Sequence, residues 1–154
     1  MTNSATRARR LRRALVLFLV ALGVKRARAQ TISVSGNPAA MKVTTAVAGL
    51  APTAVSNAAT TYSYVQPSGT RHITAHINSA MPAGLTLTVT LAALPSSTSA
   101  GAVVLTTVSQ TVVSSIVGAV NATRSITYQF SATAAAGVVA SQTRIVTFTI
   151  TAGP

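Results

Sequence analysis

His72 and His76 are the two histidines of the chain, and the sequence contains no Asp, Glu or Cys at all. They fall in Arg71-His-Ile-Thr-Ala-His-Ile77, where polar and apolar residues alternate. Read as a strand, this segment sets both histidines beside Thr74 on one face and Ile73, Ala75 and Ile77 on the other. Ligands four residues apart converge on a helix. On a strand they stand about 13 Å apart, at roughly 3.3 Å per residue, too far to share an ion unaided. The side chains that would complete a metal site, orient a histidine or act as general acid and base are carboxylates and thiolates. None is present, so no metal, no cofactor and no catalytic residue is expected, and the histidines read as a solvated strand face. A serine–histidine pair would also lack its carboxylate, and no Gly-x-Ser-x-Gly elbow occurs.

Tyr62 and Tyr64 form the second candidate group. Two apart on a strand, they share a face, the spacing that a two-ring platform for a glycan or another ligand would use. The same spacing serves core packing with a hydroxyl at the rim, and the chain has no Trp to enlarge such a platform. Asn121-Ala-Thr123 fits an N-glycosylation acceptor.

The elements that must position these residues are strands. Leu85-Thr-Leu-Thr-Val-Thr-Leu91 alternates strictly, and so does Ser125–Ala132, with Ile126, Tyr128 and Phe130 inward; Thr143–Thr151 alternates from Val146 onward, with Val146, Phe148 and Ile150 inward. Period two over seven or more residues is a half-buried strand. Further strands are expected at 31–35, 41–47, 60–65, 71–77, 102–108 and 110–117. Gln66-Pro-Ser-Gly69 fits a type I turn, which predicts a hairpin joining 60–65 to 71–77. Loops are expected at 78–83 and 94–101, with at most one helical turn within 133–139. Eight or so short strands with turns at this spacing predict one antiparallel β-sandwich, with a small barrel as the alternative.

Residues 1–29 read differently. Arg7, Arg9, Arg10, Arg12 and Arg13 precede an apolar run from Ala14 to Val24, and Ala27-Arg-Ala29-Gln30 follows with the small-x-small pattern of signal peptidase. A membrane anchor would need about 20 apolar residues, more than this run supplies. The expectation is a cleaved signal peptide (1–29) ahead of one domain (30–154), touching a membrane only during export. Arg12-Arg13 before apolar residues also looks like a twin-arginine motif, which leaves two export routes open.

Charge follows the same division. Eight of the twelve basic residues lie within 1–29, leaving Lys42, Arg71, Arg124 and Arg144 scattered singly. The formal charge of +12 therefore predicts no nucleic-acid partner, because no stripe of cations remains to track phosphates. About 125 residues suffice for one apolar core without disulfides.

In leader, absence of cysteine and Thr-alternating strands such as Leu85–Leu91, Ser125–Ala132 and Arg144–Thr151, the chain resembles exported bacterial immunoglobulin-like sandwiches and, more loosely, fimbrial subunits. The resemblance is one of pattern, and no functional residue carries over with it. It implies a non-catalytic structural or interaction protein of the cell surface, periplasm or extracellular matrix, with itself or matrix components as partners. Strands such as Leu85–Leu91 and Gln110–Val117 contain no charge, and uncharged strands are compatible either with pairing edge to edge between copies or with an internal place in a sheet. A glycan- or ligand-binding module is the alternative.

Overall fold

The computed structural model describes residues 29–45 and 50–153. The described residues form nine strands, the longer ones mostly alternating: β1 Thr31–Val34, β2 Val55–Gln66, β3 Thr70–Ile77, β4 Leu85–Leu91, β5 Thr98–Ser99, β6 Val103–Val104, β7 Gln110–Val117, β8 Val120–Ala132 and β9 Val146–Ala152. They make two antiparallel sheets, β1-β2-β8-β4-β6 and β5-β7-β3-β9. Among the described residues neither sheet closes on itself, so the small closed barrel is not formed.

From β2 onward the chain changes sheet at every connection. Even-numbered strands therefore lie in the first sheet, and β3, β5, β7 and β9 in the second. This overturns the expected hairpin: β2 pairs with β1 and β8, whereas β3 pairs with β7 and β9. Residues 67–69 are a bend at the corner between sheets. A second corner, Gly118-Ala119, carries β7 into β8 beside it, and the Gly118 N–H donates to the Gly69 carbonyl at 3.0 Å. Buried Gln66 ties both corners, its amide donating to the carbonyls of Gly69 and Gly118 at 2.8 Å each. The turn signal was sound as a reversal; these non-local bonds decide that the reversal crosses between sheets.

Other boundaries shift for identifiable reasons. Residues 41–45 form no strand, and the rest of the expected 41–47 strand lies outside the described residues. Of 102–108 only Val103–Val104 pairs, because Thr106 turns its hydroxyl onto the Val108 backbone, a local bond that competes with a ladder. Thr98–Ser99 forms a short strand inside the expected 94–101 loop, paired with β7. Ala134–Ala136 forms the single helical turn, a 3-10 one.

The core is one apolar cluster fed by both sheets. Tyr62 and Tyr64 of β2, Val89 and Leu91 of β4 and Ile126 of β8 meet Ile73, Ala75 and Ile77 of β3. β7 adds Val112, Val113 and Ile116, a spacing that strict alternation forbids. Two register shifts against β3 and a positive φ of 54° at Ser115 bulge β7 and turn all three inward.

Candidate functional site

The histidines stand where alternation puts them. Ile73, Ala75 and Ile77 are buried, while His72, Thr74 and His76 line the opposite face of β3, half-buried. His72 lies across from Thr151 and His76 from Thr147, both on β9. Among the described residues His76 has one polar contact, Ser109 Oγ at 3.3 Å from Nδ1, and buried His72 Nδ1 meets no partner. Among the described residues no three metal-binding side chains come together.

Tyr62 and Tyr64 offer no ring face to a ligand, which corrects their reading as a candidate platform. Both are fully buried, because β2 lies between β1 and β8 and its even-numbered residues from Thr60 to Gln66 face the core. The Tyr62 hydroxyl donates to the Ala92 carbonyl and the Tyr64 hydroxyl to Gln66 Oε1. Burial pushes the Tyr62 pKa up to about 12, with the nearby Arg124 guanidinium pulling against it. Burial also raises Tyr64, opposed by Arg71, and raises Tyr128. A groove of about 250 Å³ lies beside Met81, Leu85, Thr86 and Leu105, and no histidine, tyrosine or charged residue lines it.

Of the cleavage residues, Ala27 lies outside the described residues, as does the chain before it. Ala29 is exposed, and Gln30 Oε1 accepts from Arg71 Nε at 3.1 Å, one residue before β1 begins.

Comparison with protein-family models, curated proteins and solved structures finds no match for the chain.

What the fold does assemble is a set of uncharged edges. The sheets end on β1 and β6, and on β5 and β9. Thr31-Ile-Ser-Val34, Val103-Val104, Thr98-Ser99 and Val146-Thr-Phe-Thr-Ile-Thr-Ala152 contain neither a charged residue nor a proline. The strands whose lack of charge drew attention in the sequence are flanked on both sides, on one side only in part: β4 lies between β8 and β6, which pairs with Thr88 and Val89, and β7 between β3 and β5, which pairs with Val113 and Ser114. Sequence reasoning missed the edge role of β9 and the role of Gln66, since both depend on strand order. A composition signal for β9 was available in its unbroken Thr-apolar alternation without charge.

Proposed function

We propose that this chain is an exported, non-catalytic structural or interaction protein, an immunoglobulin-like β-sandwich acting at the cell surface, in the periplasm or in an extracellular matrix. It works by surface contact and associates with copies of itself through its sheet edges. One observation carries this reading: among the described residues all four edge strands lack the charges and prolines with which sheets ordinarily prevent edge pairing. The absence of every carboxylate and thiol side chain supports a non-catalytic role. The basic start, the apolar run and the Ala27-Arg-Ala29 pattern of the sequence support export.

Sedimentation of the purified protein at high micromolar concentration, with electron micrographs of the same samples, tests the proposal. Concentration-dependent species larger than the monomer are expected. A strictly monomeric protein without assemblies in micrographs would overturn self-association and favour the ligand-binding module.

A further inference from the structure

The four edges are not equivalent. β1 has four residues and β5 and β6 two each, lengths that themselves limit pairing, whereas β9 has seven. In sequence the charge nearest to β9 is Arg144, whose guanidinium donates to the carbonyls of Ala80 at 2.8 Å and Thr143 at 2.9 Å, and across the strand pair Arg71 of β3 lies opposite Ala152.

The backbone direction of β9 follows from its end bonds. Gly153 N–H donates to Thr70 O at 3.0 Å, and Ile145 O accepts from Asn78 N–H at 3.1 Å. Backbone polar groups alternate sides along an antiparallel strand, so odd-numbered residues of β9 aim at β3. Val146, Phe148, Ile150 and Ala152 aim their N–H and C=O groups away from β3, and among the described residues none of these groups makes a backbone hydrogen bond, although β1 passes close to β9.

We infer that β9 is the self-association strand, and that it pairs antiparallel with β9 of a second copy about a two-fold axis through Thr149. This rests on the self-association reading and names the edge and register. The occupant follows from the sequence of the strand, which is complementary to its own reverse. With Thr149 opposite Thr149 of the second copy, Phe148 meets Ile150, Thr147 meets Thr151 and Val146 meets Ala152. Apolar residues thus stay on the core face and threonines on the outer face in both copies. The even-numbered residues, which carry the free backbone groups, fall on the hydrogen-bonded pairs, and Thr149 falls on a non-hydrogen-bonded one. A two-fold interface uses the same patch twice and closes, so the product is a dimer with the second sheets of both copies joined into one.

Site-specific cross-linking in the full chain tests this, helped by the absence of native cysteine. Facing residues of a non-hydrogen-bonded pair lie about 4.5 Å apart at Cα, within reach of a disulfide. Under mild oxidation Thr149→Cys should become mainly a linked dimer. Thr147→Cys and Thr151→Cys should each stay unlinked, since each residue lies about 13 Å from its own copy in this register, yet the two mixed should link to each other. Thr149→Lys, which sets two ammonium groups face to face, should weaken association several-fold with the circular dichroism unchanged. Equal linking at all three positions, or none at Thr149 in a protein that still associates, would overturn the β9 register and leave self-association standing. A wild-type chain that never associates would overturn both.

Discussion

Gln66 and Gly118 are 52 residues apart in sequence, and the Gln66 amide donates to the Gly118 carbonyl at 2.8 Å. Gln66 closes the corner from β2 to β3, Gly118 the corner from β7 to β8, so this one bond holds two sheet-to-sheet crossings together. The same amide reaches Gly69 O, and its oxygen accepts from the Tyr64 hydroxyl, which satisfies a buried side chain completely.

Gln66→Leu should therefore be severely destabilising although it adds apolar volume. It strands the Tyr64 hydroxyl and removes a donor from two carbonyls, and each buried polar group left unpaired costs about 1–3 kcal/mol. A total loss of about 2–5 kcal/mol is expected from denaturant unfolding. A loss below about 0.5 kcal/mol, the range of ordinary surface changes, would show that the corners hold without it.

The protein should tolerate acid and fail in alkali. Burial holds Tyr62 neutral up to about pH 12, against an ordinary value of 10.0. Between those values the folded protein keeps a proton that the unfolded chain has released. The stabilisation is complete below pH 10 and disappears as pH rises through the folded value. Tyr64 and Tyr128, also raised by burial, act in the same direction. The denaturant midpoint should fall above about pH 10, with tyrosinate absorbance appearing together with unfolding. An ordinary tyrosinate titration with the fold intact would contradict this. At the acid end no Asp or Glu exists to be protonated, so stability should change by less than about 2 kcal/mol between about pH 7 and pH 3.

Processing after Ala29 should leave Gln30 as the first residue, still able to accept from Arg71. Intact mass of the exported protein checks this, and retention of residues 1–29 would refute it. Ala29→Phe should block maturation, because the peptidase requires a small residue there.

Much of the fold was legible one strand at a time. The bounds of Leu85–Leu91 and Gln110–Val117, and the inward faces of Ser125–Ala132 and of the histidine strand, follow from alternation. Alternation reports burial on one side of a pleat, which each strand carries in its own residues. β7 marks the limit of that signal, because its bulges break the period and still bury Val112, Val113 and Ile116. Of the two readings of Tyr62 and Tyr64, core packing is the one that forms; their shared facing was visible in the sequence, but not which face the opposite sheet covers.

The sequence by itself determined an all-β chain, the absence of carboxylate and thiol chemistry, and the face on which each clearly alternating strand buries its apolar residues. These are properties of residue type and of a two-residue period. Only the tertiary structure decided the partners. Gln66-Pro-Ser-Gly69 reverses the chain equally well within one sheet or between two, and no local geometry distinguishes the outcomes. The choice is made by bonds to Gly118, far along the chain, and by the cluster that both sheets fill. The same long-range pairing leaves β9 with a free edge, a property of strand order that no segment contains alone.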